Sequence, residues 1–172
     1  GDALALAAGQ LDPALADMRL EAAPALAIAR EATPVQGYTV VRTYPHDATA
    51  YTEGLFYLDG HLYESTGEVG RSSVRKVDLD SGRVLQRSDP PPPYYGEGIV
   101  AWRGRLMQLT WRNRQGFVYD LATFEPLARF AYPGEGWALT SDDSSLYMSD
   151  GTATLRRLDP ESLRQLGTIE VT

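Results

Sequence analysis

From Tyr38 onward, short apolar runs with a period of two are each closed by Gly, Asp or Ser. Runs of this kind, rich in β-branched and aromatic residues, predict strands rather than helices. The first covers residues 38–41. Residues 54–58 and 62–65 follow across Asp59-Gly60, a strong hairpin signal. Residues 73–78 then turn at Asp80-Ser81-Gly82 into residues 83–85. The arrangement recurs with residues 99–102, 106–111, 117–120 and 127–130, and again with residues 137–140, 146–149, 154–158 and 166–171.

The recurrence extends to particular residues. Glu-Gly occurs at Glu53-Gly54, Glu97-Gly98 and Glu135-Gly136. Behind each comes a Leu-led strand starting at Leu62, Leu106 or Leu146, then an apolar stretch ending at Asp78, Asp120 or Asp159. A period of about 40 residues with several short strands per unit is the mark of β-propeller blades. The expected fold is therefore all-β, with about three four-stranded blades. Rings close with about 4 to 8 blades, so either further blades are expected beyond Thr172, the favoured reading, or a partner completes the arc.

The lead is different. Residues 1–36 are rich in Ala and Leu, Asp12-Pro13 offers a helix start, and Pro24 interrupts the pattern. They read as a helical or partly disordered leader, either a bare lead or a tether or docking helix, before a partial propeller over residues 37–172.

Composition excludes several classes. A net charge of −7 argues against nucleic acid and anionic membranes as partners. No cysteine is present, which removes disulfides, thiolate nucleophiles and thiolate metal sites. The two histidines, His46 and His61, lack metal-site spacing, and no GxSxG elbow accompanies them. No metal, no cofactor and no membrane span is expected, since no apolar run approaches about 20 residues.

If the fold is a propeller, the Glu-Gly turns occupy equivalent positions and should bring their carboxylates to one shared cleft. Tyr51, Tyr94, Tyr95 and Trp137 flank these turns, and Trp111 follows the strand after Glu97. Carboxylates within an aromatic wall suit a small cationic or amide-bearing ligand. The alternative is that the repeat preserves a turn and the aromatics pack between blades. The run Asp89-Pro90-Pro91-Pro92-Pro93 predicts stiff, extended polyproline. Residues 78–82 read as a hairpin turn, since they lack the spacing of a calcium loop.

These stretches resemble the metal-independent glutaminyl-peptide cyclotransferases of plants and bacteria, the glutamine cyclotransferase family. The resemblance rests on Tyr44-Pro45-His46-Asp47, Tyr51-Thr52-Glu53-Gly54-Leu55, Tyr95-Gly96-Glu97-Gly98-Ile99, Gln108-Leu109-Thr110-Trp111, Glu135-Gly136-Trp137-Ala138-Leu139-Thr140 and Met148-Ser149-Asp150-Gly151. It covers residues 38–172 and leaves the lead outside.

It implies a five-bladed propeller that cyclises the N-terminal glutamine of a peptide or protein to pyroglutamate, with release of ammonia. Glu97 would be the catalytic proton shuttle, and Tyr51, Glu53, Tyr95, Trp111 and Trp137 the substrate-binding residues. An extracytoplasmic location, periplasmic or secreted, is implied by resemblance alone. Two departures stand out. Glu53 replaces the family's usual Gln, and the family's later Asn-Glu-Leu-Glu stretch has no counterpart up to Thr172. These 172 residues alone are therefore expected to be inactive. Competing readings are a non-catalytic propeller that binds peptides or amines in the same cleft and, more remotely, a sugar-active enzyme using Glu53 and Glu97 as paired carboxylates.

Overall fold

The computed structural model describes residues 34–172, so the expected leader helices lie outside the described residues apart from its last few positions. The chain divides after Thr39. In the first unit, described residues 34–39 carry no regular secondary structure. The second unit, Val40–Thr172, contains β1 (Thr52–Leu58), β2 (His61–Thr66), β3 (Ser73–Asp78), β4 (Val84–Ser88), β5 (Gly96–Trp102), β6 (Arg105–Thr110), β7 (Gln115–Asp120), β8 (Pro126–Ala131), β9 (Leu139–Ser141), β10 (Leu146–Met148), β11 (Thr154–Leu158) and β12 (Gln165–Glu170).

The strands form three antiparallel four-stranded meanders, β1–β4, β5–β8 and β9–β12, each one propeller blade. The tight hairpins are built as their residues demand. Asp59-Gly60 joins Leu58 to His61, and Arg103-Gly104 joins Trp102 to Arg105, with all four turn residues at positive φ.

The blades bury apolar side chains against each other. Between the first two lie Tyr63, Val74, Ile99, Leu106 and Phe117. Between the second and third lie Met107, Leu109, Leu139, Leu146 and Met148. Fully burying such a side chain contributes about 1.5–3 kcal/mol. Inner strands β1, β5 and β9 approach one another along the sheet stack.

Glycine sets that approach. A Cβ on Gly54 would lie 2.8 Å from the Ile99 nitrogen, and one on Gly98 would lie 2.6 Å from the Trp137 carbonyl oxygen. Gly98 N–H donates to that same carbonyl at 2.7 Å. A side chain at either position would force the inner strands apart.

Two expectations fail. Residues 38–41 form no strand, and Tyr38, Val40 and Val41 are exposed, because no neighbouring strand among the described residues completes their backbone pairing. The segment just after them is anchored by polar contacts instead. His46 pairs with the buried Glu64 at 2.7 Å, and Arg75 donates to Asp47 at 2.9 Å. The proline run is not extended either. It turns at Pro92-Pro93, whose peptide bond is cis, and Tyr94 N–H donates to Pro91 O at 3.2 Å. Docking the Tyr94 ring edge-on to Phe117, with centroids 4.9 Å apart, outweighs the intrinsic preference for extension.

Gly98→Ala is expected to destabilise the fold by about 1–3 kcal/mol through overpacking. Gly167→Ala, where a Cβ meets nothing within 4 Å, should be neutral or slightly stabilising. Urea titrations that return equal midpoints for the two variants would contradict this account of blade spacing.

Candidate active site

Two of the three glutamates expected in turns, Glu53 and Glu97, lie in strands instead, at irregularities of the inner ladder. In β1, Thr52 pairs with Thr66 and Gly54 with Ser65, which leaves Glu53 as the extra residue of a β-bulge. In β5, Gly96 pairs with Thr110 and Ile99 with Gln108, so the extra residue falls at Glu97-Gly98. A bulge re-aims one side chain out of the pleat. Neither Gly54 nor Gly98 has positive φ. The glycine serves strand approach rather than a turn, which explains why the motif resembled a turn in sequence. Glu135 does lie in a loop, just before β9.

Tyr51, Glu53, Tyr95, Glu97, Trp111 and Trp137 line one cleft of about 290 Å³. All six residues named from the sequence are thus brought together. Glycines that follow β2 and β10 seat two of these rings. A Cβ on Gly67 would fall 2.5 Å from the Tyr95 ring, and one on Gly151 would fall 2.5 Å from the Trp137 ring. Counted from the leading leucine of each blade's second strand, Gly67, Trp111 and Gly151 occupy the same place. Blades one and three therefore leave room there for an aromatic ring, whereas blade two supplies one. Tyr95 meets Trp111 edge-on, with centroids 5.6 Å apart.

Three carboxylates share this region, and their surroundings differ. Glu97 is 9 % exposed and has no hydrogen-bond partner among the described residues. Burial, with the charges of Glu53 and Glu135 adding repulsion, pushes its carboxyl up to about 8. Glu53 accepts the Tyr95 hydroxyl at 2.8 Å. Burial, then that bond, drives the Tyr95 phenol well above its usual range. Glu135 is held below its ordinary value by the Trp137 and Trp111 indoles and by Arg112.

Glu135 and Arg112 were not among the site residues read from the sequence. The signal for Glu135 was present, since it belongs to the third Glu-Gly repeat. The signal for Arg112 was only its adjacency to Trp111. Among the described residues, no group of His, Asp and Glu is arranged to hold a metal ion. No described helix is long and apolar enough to cross a membrane.

A propeller whose inner-strand bulges turn acids into an aromatic cleft defines a narrow class. The family model described as glutamine cyclotransferase matches residues 13–172, beginning well before the motifs at residue 38. The chain belongs to the glutamine cyclotransferase family. It is 42 % identical over 127 residues to the glutaminyl-peptide cyclotransferase of Arabidopsis thaliana, covering 73 % of this chain and 40 % of that protein. The crystal structure of Myxococcus xanthus glutaminyl cyclase superposes with a TM-score of 0.71 at 30 % identity, covering 78 % of this chain and 56 % of that one. The Neurospora crassa Pan2 WD40 domain, at 12 % identity and a TM-score of 0.57, shares the fold alone, with 69 % and 36 % of the two chains covered. The chain thus spans less than two thirds of the length of each of these relatives.

The raised Glu97 carboxyl carries a stability consequence. The unfolded chain loses this proton near 4.5, whereas the folded protein keeps it to about 8. Between those values the native state binds more protons, so this contribution to stability is complete below 4.5 and declines as pH rises through 8. Urea titrations across that window should show Glu97→Gln gaining stability relative to the unsubstituted protein as pH increases. A constant difference would contradict the assignment.

Proposed function

We propose that these blades supply the acid–base and aromatic half of a glutaminyl-peptide cyclotransferase, which closes an N-terminal glutaminyl residue to pyroglutamate and releases ammonia. The observation that carries this reading is Glu97, desolvated among Tyr95, Trp111 and Trp137 with its carboxyl near 8. A peptide α-amino group titrates at about 7.7–8.0. Proton transfer from the substrate ammonium to Glu97 is then close to thermoneutral, the condition favoured for general acid–base catalysis at neutral pH.

The steps follow from this match. The Glu97 carboxylate takes a proton from the α-ammonium, and the freed amine nitrogen attacks the side-chain carboxamide carbon. A new C–N bond closes the five-membered lactam. The same carboxyl returns its proton to the departing nitrogen as the old C–N bond breaks, and the leaving ammonia takes the second proton that the attacking nitrogen sheds, departing as ammonium and leaving a neutral lactam. The aromatic walls of a small cleft hold the short glutaminyl chain folded on itself, so that amine and amide meet at reacting distance. The negative charge of Glu53, beside Tyr95, favours entry of a cationic N-terminus.

A second reading is supported by Glu53 itself, where the family usually carries Gln. A non-catalytic propeller could hold amines between Glu53 and the rings. Ligand binding without ammonia release would favour it.

The test is ammonia release from a Gln-headed peptide by the intact enzyme. Glu97→Gln should lower kcat by ~10²–10⁴, and undiminished turnover would remove Glu97 from the role. Glu53→Gln removes one charge that raises Glu97, so the limb of the kcat/KM profile reporting Glu97 should move to lower pH. An unmoved limb would show that the two acids do not communicate.

A further inference from the structure

Glu135 lies outside the six cleft-lining residues, yet both tryptophans of the cleft are bonded to it. The Trp111 Nε1–H donates to Glu135 Oε2 at 2.7 Å, and the Trp137 Nε1–H donates to the same oxygen at 2.9 Å. The other carboxylate oxygen accepts Arg112 Nε–H at 3.0 Å. That guanidinium also stacks on the Trp111 ring, 3.7 Å from its centroid. One side chain therefore joins an indole from the end of β6, an indole just before β9, and the cation that covers the first.

The arrangement is more than packing requires. An indole N–H has one hydrogen to donate and, at the edge of a wet cleft, water would accept it. Two indoles converging on one oxygen fix both ring planes relative to a common point. Hydrogen bonds to an ionised acceptor are short and roughly twice as strong as neutral ones. The Trp137 and Trp111 bonds themselves, with a smaller contribution from Arg112, hold the Glu135 carboxyl below its ordinary value. The backbone supports the same junction, because Gly136 N–H donates to Trp111 O at 2.9 Å and Gly98 N–H to Trp137 O at 2.7 Å. Trp137 is otherwise half exposed, with Gly151 against one part of its ring.

We propose that Glu135 is the positioning residue of this site, a single carboxylate that sets the angle of the Trp111 and Trp137 rings beside Glu97. It touches no reacting atom. The proposal rests on the cyclotransferase reading for its catalytic meaning, but the geometry it asserts can be tested without turnover.

The chain contains three tryptophans, and the remaining one, Trp102, donates its indole N–H to Glu161 at 3.1 Å. The indole N–H resonances of Trp111, Trp137 and Trp102 thus provide two reporters and an internal control. In Glu135→Leu, the Trp111 and Trp137 signals should move upfield while that of Trp102 stays. Glu135→Gln keeps a carbonyl oxygen able to accept both donors and should move them less. Unmoved signals in Glu135→Leu, or a Trp102 shift as large as the others, would overturn the proposal.

Turnover supplies a second readout. In Glu135→Leu, kcat/KM for a Gln-headed peptide should fall by about 10- to 100-fold, as misplaced positioning groups do. Glu135→Gln should recover most of that loss and shift the Glu97 limb of the pH profile to lower pH, since one repelling charge is gone. Equal kinetic losses in the two variants would overturn the positioning role. If the unsubstituted enzyme released no ammonia, the cyclotransferase reading would fail on its own, and the indole resonances would still decide the geometry.

Discussion

Everything at this site depends on how closely the inner strands of adjacent blades can approach. At Gly98 the β5 backbone lies against the Trp137 carbonyl, with an inter-blade hydrogen bond of 2.7 Å. Only a residue without Cβ permits that contact. The same bulge that places glycine against the next blade turns the preceding glutamate toward the cleft. Glu-Gly is thus one device with two parts, a spacer and an acid, and its repetition brings Glu53 and Glu97 to one place.

The acids then diverge through their surroundings. Glu135 receives three N–H donors and remains ionised. Glu53 receives one phenol. Glu97 receives none among the described residues, and is the most desolvated of them. Environments that separate the titration of neighbouring carboxyls are the usual means of assigning acid and base roles at neutral pH. Here the separation follows from where the donors go, since Trp111 and Trp137 both give their N–H groups to Glu135, while Glu97 is buried in the same cleft without one.

Much of this was legible in the chain. The Leu-led strands, the Asp59-Gly60 hairpin and the Asp78 and Asp120 strand ends fall at their expected places, and Asp159 lies one residue past β11. Local pattern suffices for these because period-two burial and turn chemistry act over a few residues. Residues 38–41 show the limit. Their β-branched and aromatic character is strand-like, but a strand exists only where another pairs with it. The proline run shows the same limit, since Tyr94 finds a ring to pack against that its neighbours in sequence do not reveal.

The amino-acid order alone determined the blade repeat, through its spacing, and the family, through its motifs; that the acids and rings converge was one of two readings it left open. Only the tertiary structure decided that Glu-Gly is a bulge rather than a turn, and that Glu135 binds two indoles rather than lining the cleft. It also decided that Glu97 holds its proton to about 8. The reason is that bulge register, shared acceptors and desolvation all depend on what a paired strand or a neighbouring blade places within a few ångströms. No local pattern encodes that distance.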